Sequence, residues 1–589
     1  MSRQLRHQWL SPFLNPSRSK TSRSAAGSSP YRRRLRLERL EERQLLATFT
    51  VTNTFDSGLG SLRHLIIAAN LSPNTDIDGD GIPEPDRIAF HIPASDPGHV
   101  YYREDGVAGQ VTLSNVTATT AVNDGAIPNI DPDWPHSWYS IKPASELPTI
   151  TSRVVMDGYT QPGARANTLA VGKNTVLKVE IDGSSGPVDA VGLHIDSDGG
   201  STVSGLVINR FTRSNNTNPG GHGIQLGGIG GNVVEGNFLG TDISGTTPQG
   251  NTRAGVEINS PANLIGGTTP QARNVISGNL QVGISITGVH AIRNIVQGNF
   301  IGVDATGTRA LGNEFGVFCF SDENIIGGTI AGGRNVISGN DADGIRILGS
   351  HNVLQGNFIG TDFTGNVALG NGRGVHVHFG TDNTVGGLSP AARNVISGNI
   401  ESGIDVERPR IDETPSFSFA QNTLIQGNFI GTTASGAAPL GNGAFGILVT
   451  SSSNLIGAAS GAGGNVISAN GRGGIFFWGL SAQDNIVQGN LIGGTTALGN
   501  QDFGIKIQAG IHNKVGGEEH GAGNTIAFNV TDGVQVSLDD AKRNAVVGNQ
   551  IFSNGMVGIN LGDRVTPNDP DDSDDGPNNF QNFPEIRHA

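Results

Sequence analysis

Asn294-Ile-Val-Gln-Gly-Asn-Phe-Ile-Gly302 runs into the loop Val303-Asp-Ala-Thr-Gly-Thr-Arg-Ala-Leu-Gly-Asn313. The chain then continues through Gly316-Val-Phe-Cys-Phe320, Asn324-Ile-Ile-Gly-Gly328 and Arg334-Asn-Val-Ile-Ser-Gly-Asn340. This is one short strand opened by Gly and two opened by Asn, repeated with and without a long loop. The Gly-[Ile/Val]-x-[Ile/Val/Leu] unit recurs from Gly192 to Gly558, mostly 28 to 33 residues apart, with one gap of 43 after Gly403. Alternate apolar residues in each strand predict one inward row per strand. A period near 30 with three strands per turn predicts an all-β, right-handed, single-stranded parallel β-helix of about 13 coils, its core stacked end to end. At roughly 4.8 Å per coil the rod is about 60 Å long. Coils with the long loop alternate with coils lacking it. The full repeat is therefore a coil pair, and the loops should form a row down one edge.

Asparagine opens the second strand from Asn232 to Asn544, with Asn422 in the series, and the third from Asn237 to Asn549. A further Asn closes most coils, from Asn251 to Asn500. Asn and Gly tolerate left-handed backbone, which sharp corners demand. Stacked Asn amides are expected to hydrogen-bond along the axis as ladders. Before the repeats, Thr48–Thr54 reads as a strand. A helix follows from Ser61, with Leu62, Leu65, Ile66 and Ala69 on one face, which caps the open end of the core. The organisation expected is a basic targeting segment over 1–47, the cap and irregular β structure over 48–190, repeats over 191–562, and an acidic tail over 563–589.

Composition narrows the function. The 589 residues include 88 Gly, only 15% charged residues, and a net charge of −14. Residues 1–46 hold 11 Lys and Arg against three Glu, leaving 27 basic and 49 acidic residues in the rest. An acidic body excludes nucleic acid as the expected partner. Cys319 is the single cysteine, so the chain forms no internal disulfide, and alternation places its thiol in the core. No apolar run reaches the roughly 18–20 residues of a membrane span. The first 46 residues are basic and Ser-rich without a clear apolar centre, so an ordinary signal peptide is not evident.

The Asn-Val-Ile-Ser-Gly-Asn and Gln-Gly-Asn-Phe-Ile-Gly units resemble the right-handed β-helix repeats of large bacterial surface and secreted proteins. Val51-Thr-Asn-Thr-Phe-Asp-Ser-Gly-Leu-Gly-Ser-Leu-Arg63 looks like the segment that commonly precedes such helices. Leu40-Glu-Glu-Arg-Gln-Leu-Leu46 is similar to the LEPR-XLL motif of bacterial exported proteins, with Glu42 in place of Pro. The resemblance implies export, with the protein secreted or held at the cell surface. It implies a structural or adhesive scaffold, with an extracellular polysaccharide or cell-wall component as the expected partner. The same architecture also serves polysaccharide lyases and glycoside hydrolases acting in a groove on the first sheet.

Two clusters of residues carry candidate chemistry. The x positions of consecutive glycine strands hold Arg346, His376 and Asp405, with His378 and Glu407 two residues further on. A strand's alternate residues share a face, so these groups form one outward patch with acid, base and guanidinium functions. Arg346, His376 and Asp405 are the catalytic candidates. His378, Glu407, Arg408 and Arg410 are the glycan-binding candidates, the last two from the single large insertion, residues 407–421. Separately, Asp76-Ile-Asp78-Gly-Asp80-Gly81 with Glu84 matches the first half of a calcium loop, although Arg87 stands where a bidentate Glu belongs. Asp76, Asp78, Asp80 and Glu84 are thus the calcium candidates.

Overall fold

A computed structural model describes residues 47–77, 81–215, 219–408, 419–460, 462–494 and 498–563, with 568, 572 and 575–581 of the tail. The LEPR-XLL-like stretch falls outside the described residues. The body is a right-handed parallel β-helix with three long sheets of 13, 15 and 16 strands among the described residues. The 13 strands of the first, here the glycine sheet, run from Leu193–Ile195 to Ile559–Leu561 and correspond one to one with the glycine units. The other two are the first and second asparagine sheets. Both extend further toward the N terminus. Thr48–Val51, Asp86–Phe90 and Val154–Asp157 stack on the first, and Ser137–Ile141 and Val179–Asp182 on the second. Residues 48–190 thus share the sheet system of the repeats. Two strands there, His99–Tyr102 and Val116–Ala118, break the parallel rule by pairing antiparallel.

The core is a single stack of Ile, Val and Leu along the axis. Ile345, Ile326, Ile337 and Val375 are all fully buried. Cys319 lies in the same stack, its thiol pushed up to about 12 by burial. The cap helix spans Leu62–Leu71. The Ser61 hydroxyl accepts a hydrogen bond from the His64 N–H, and Leu62, Leu65, Ile66 and Ala69 are its buried face.

The asparagine ladders form, with one correction to their cause. Asn335 Nδ2 donates to Asn357 Oδ1 at 3.0 Å, Asn294 to Asn324 at 3.1 Å and Asn340 to Asn371 at 2.8 Å. The left-handed backbone, however, belongs in the first ladder to the residue before each Asn. Arg293 and Glu323, both at φ 58°, precede Asn294 and Asn324. Asn422 (φ 56°) takes this preceding position, so Thr423 and not Asn422 occupies the ladder.

The strand glycines need space rather than left-handed torsions. A Cβ on Gly344 would sit 2.7 Å from the Gly374 carbonyl oxygen and 2.8 Å from Asn371 Nδ2.

The long loops do form a row. Ala305 N–H donates to the Gly245 carbonyl at 2.8 Å, Phe363 to Gly307 at 3.1 Å and Ala434 to Gly365 at 2.9 Å. They cover a second apolar stripe, outside the core, where Phe238, Val275, Phe300, Val336, Phe358 and Val395 alternate down the second asparagine sheet. Arg273, Arg334 and Arg393 lie 4.5, 4.1 and 4.0 Å from the ring centres of Phe300, Phe358 and Phe429. In these coils the two-coil alternation is therefore a packing device, an Arg from three short coils covering the Phe of the long coil that follows each. Asp242 and Asp362 accept backbone N–H bonds from their own loops, at 3.0 and 3.1 Å, and so serve the turns.

Candidate functional site

Arg346, His376 and Asp405 stand side by side in register on adjacent strands of the glycine sheet. Their side chains leave the core, but they are not a freely solvated row. His376 is 2% exposed and Asp405 7%. The cover comes from residues that simple alternation misses. Gly344 and Gly374 point inward together with the residues after them. A Cβ on Gly374 would meet the core methyl Ile396 Cγ2 at 2.7 Å. Two consecutive inward positions invert the parity, so Asp343 and Arg373, just before the glycines, join the outward face.

The result is a charged network. Arg346 Nε donates to Asp343 Oδ2 at 2.6 Å. His376 Nδ1 lies 3.2 Å from the same oxygen, and its Nε2 lies 2.8 Å from Glu407 Oε2. His378 Nδ1 approaches His376 Nε2 at 3.2 Å and Glu407 Oε2 at 3.5 Å. Arg373 Nε pairs with Glu401 at 3.0 Å and Asp405 at 3.3 Å. Arg373 Nη1 is also 2.9 Å from His376 Nδ1. A guanidinium only donates, so this contact bonds when Nδ1 is bare, whereas the Asp343 contact bonds when Nδ1 carries hydrogen.

These contacts set the protonation states. Burial pulls His376 toward neutrality, but its bonds to Asp343 and Glu407 outweigh burial and raise its pKa on balance. The hydrogen bonds from His376 and His378 hold the Glu407 carboxyl well below the usual range. Burial pushes the Asp405 carboxyl up to about 6, against the lowering influence of His376 and Arg373. Asp405 Oδ1 is buried with no aligned hydrogen-bond donor. Two carboxyls on one strand are thus driven apart, one fixed as carboxylate and one titrating near neutrality.

A groove of about 250 Å³ opens beside them, lined by Arg373, Glu401, Asp405 and Glu407 on one side and Phe445, Leu448 and Trp478 on the other. Trp478 is 56% exposed.

Of the remaining candidates, Arg408 turns away from the cluster. It donates to Ser481 Oγ at 3.0 Å and lies over the Phe419 ring at 4.7 Å. Arg410 lies outside the described residues, as do Asp78 and Asp80. Asp76 and Glu84 face into their own turn, accepting from the Gly81 N–H at 2.9 Å and the Ile77 N–H at 2.7 Å.

A second cavity, of about 450 Å³, lies near the N-terminal end, lined by Tyr102, Trp138, Lys142, Glu180, Arg210 and Asp242 among others. Its polar groups largely satisfy one another. Trp138 Nε1 donates to Glu180 at 2.9 Å, Tyr102 Oη to Asp242 at 3.1 Å, and Arg210 pairs with Asp182 at 2.8 Å. That pattern joins the irregular strands to the repeats.

No protein-family model matches the chain, and no curated protein matches it. Among solved structures it is similar to the Dettilon tailspike protein gp208, at 14% identity and a TM-score of 0.35, over 69% of this chain and 64% of that one. The chain thus spans just under two thirds of that tailspike. It is also similar to the periplasmic alginate epimerase AlgG, at 12% identity and a TM-score of 0.28, over 72% and 76% of the two chains. The A-module of the Azotobacter vinelandii mannuronan C-5 epimerase AlgE4 follows at 11% and 0.32, over 73% and 88%. The pairing of the three sheets defines the architecture without them. Among the described residues, no helix is long and apolar enough to cross a membrane.

Proposed function

We propose that this protein is an exported β-helix scaffold that holds a polysaccharide against the outward face of its glycine sheet, between the coils of Arg373 and Trp478. The observation that carries this reading is the groove. It sets the exposed indole of Trp478, with Phe445 and Leu448, opposite Arg373, Asp405 and Glu407. A sugar ring offers just these two surfaces, an apolar C–H face for an aromatic platform and hydroxyls for convergent polar groups. Both groove-side arginine contacts go to carboxylates, so the groove offers a neutral glycan more than it offers an acidic one. The export assignment draws on the LEPR-XLL-like sequence, and adhesion is the use such a scaffold would serve at a surface.

A glycan-array screen of the full chain, followed by titration of the hits, tests the proposal. Trp478→Ala should weaken binding at least tenfold while leaving the thermal melt unchanged. A wild-type chain that binds no glycan, or a Trp478→Ala chain that binds equally well, overturns it.

A hydrolytic or lyase reading has one observation in its favour, the separated pKa values of Asp405 and Glu407. In that reading Asp405 donates the proton and Glu407 serves as the carboxylate. Depolymerisation of a bound glycan, lost in Asp405→Asn with binding retained, separates catalysis from simple capture.

A further inference from the structure

His376 Nε2, His378 Nδ1 and Glu407 Oε2 form a triangle with sides of 2.8, 3.2 and 3.5 Å. Among the described residues, no other trio of His, Cys, Asp or Glu converges in this way. We propose that this triangle is a transition-metal site of the zinc class, with His376, His378 and Glu407 as its three protein ligands.

The geometry fits the ion. Zinc held at about 2.0–2.1 Å by tetrahedral nitrogen and oxygen ligands spaces those ligands about 3.3 Å apart. The observed triangle matches one face of such a tetrahedron to within about half an ångström. Two imidazoles and one carboxylate are a donor set for zinc and its neighbours, whereas calcium takes six or more oxygens. The 2.8 Å contact between His376 and Glu407 is then the proton-bridged form of the same site, with the metal taking the proton's place.

The support behind the ligands fits as well. Asp343 Oδ2 is 3.2 Å from His376 Nδ1, placed to accept its N–H and fix Nε2 as the ligating nitrogen. Arg346 in turn anchors Asp343 at 2.6 Å. Arg373, which can bond a bare Nδ1, keeps Glu401 and Asp405 as partners when Nδ1 carries hydrogen. His376 sits in mid-strand, in register with Arg346 and Asp405, so its position is set by the sheet. Three protein ligands leave a fourth position, and Glu407 is shared between the triangle and the groove.

The inference does not depend on the glycan reading, because its test contains no glycan. The full chain, stripped with a chelator, is titrated with Zn²⁺ by calorimetry, with Ca²⁺ as a parallel probe and Co²⁺ absorption as a report of geometry. One Zn²⁺ per chain is expected, together with the visible bands of four-coordinate cobalt. His378→Gln and Glu407→Gln, at the more exposed ligands, should each weaken zinc at least tenfold while the metal-free chain keeps its native circular dichroism, Glu407→Gln melting lower through the loss of its bond to His376. Asp343→Asn should weaken it about 10–100-fold through the His376 ring. Failure of the wild-type chain to bind Zn²⁺, or binding that survives both ligand substitutions undiminished, overturns the proposal.

Discussion

His376 Nε2 and Glu407 Oε2 meet at 2.8 Å across the boundary between two successive coils. The contact bridges a regular coil and the large insertion of the coil that follows it. It fixes Glu407 as a carboxylate and favours the charged imidazole. Asp405, two residues before Glu407 on the same face, is left to burial and holds its proton to about pH 6.

Asp405 binds a proton in the folded chain at pH values where the unfolded chain has released it. Stability therefore falls as pH rises from about 4 to about 6, and the loss persists above that range. A shift of about two units corresponds to on the order of 3 kcal/mol. Asp405→Asn should remove this penalty. It should gain stability relative to wild type at pH 7 and show little difference at pH 4, in urea melts at the two pH values. An equal effect at both would show that the carboxyl does not titrate in this window.

His376 acts at higher pH. Its folded pKa is raised, so its contribution is fully present below the ordinary value near 6.5 and is lost as pH rises through the folded value. His376→Gln should therefore narrow its stability gap to wild type between pH 6 and pH 9. Thermal melts at the two ends measure this, and a gap that widens with pH would contradict the assignment.

Glycine positions of identical sequence pattern should differ by location. Gly344 has the next coil's backbone 2.7 Å from where a Cβ would lie, whereas Gly558, in the last coil, has only Ile551 Cγ2 at 3.5 Å. Gly344→Ala should cost about 2 kcal/mol or more through displaced backbone. Gly558→Ala should be neutral or stabilise by up to about 1 kcal/mol by stiffening the unfolded chain. Chemical denaturation of the two variants side by side checks this.

The period, the three strands, the cap helix and its buried face were all legible in the sequence, because each rests on apolar spacing marked off by recurring Gly and Asn or by a capping Ser. The Arg346–His376–Asp405 register was legible for the same reason. Asp343 and Arg373 were not. Alternation assigns them inward, and only the crowding around Gly344 and Gly374 reveals that two successive residues face the core. Nor was Trp478 legible as part of a groove with Arg373, because they lie three coils apart in the chain. The Phe and Val stripe under the long loops was hidden similarly, since a solenoid's outward positions read as solvent until a loop is seen to cover them.

The first asparagine ladder supplies the most direct test of what holds the coils in register. Thr423 is its single interruption between Asn383 and Asn454. Its hydroxyl oxygen is buried without a hydrogen-bond partner, although its N–H still donates to Asn454 Oδ1 at 2.9 Å. Elsewhere each Asn of the stack accepts a backbone N–H from the preceding coil at its Oδ1, and most donate onward through Nδ2. Asn352 N–H donates to Asn383 Oδ1 at 2.9 Å, and Asn454 Nδ2 to Asn485 Oδ1 at 2.9 Å. An Asn at 423 would accept from Asn383 and donate to Asn454, closing the gap and removing the orphaned hydroxyl. Each net hydrogen bond contributes about 1 kcal/mol, so Thr423→Asn should stabilise the chain by on the order of 1–2 kcal/mol. The reverse change in an intact run, Asn485→Thr, should cost at least as much, because Asn485 accepts from Asn454 and donates to Asn513, both at 2.9 Å, and its loss leaves buried amides unpaired. Paired urea melts decide the matter. If both substitutions destabilise, local packing around each site and not the continuity of the ladder sets the energy at these corners.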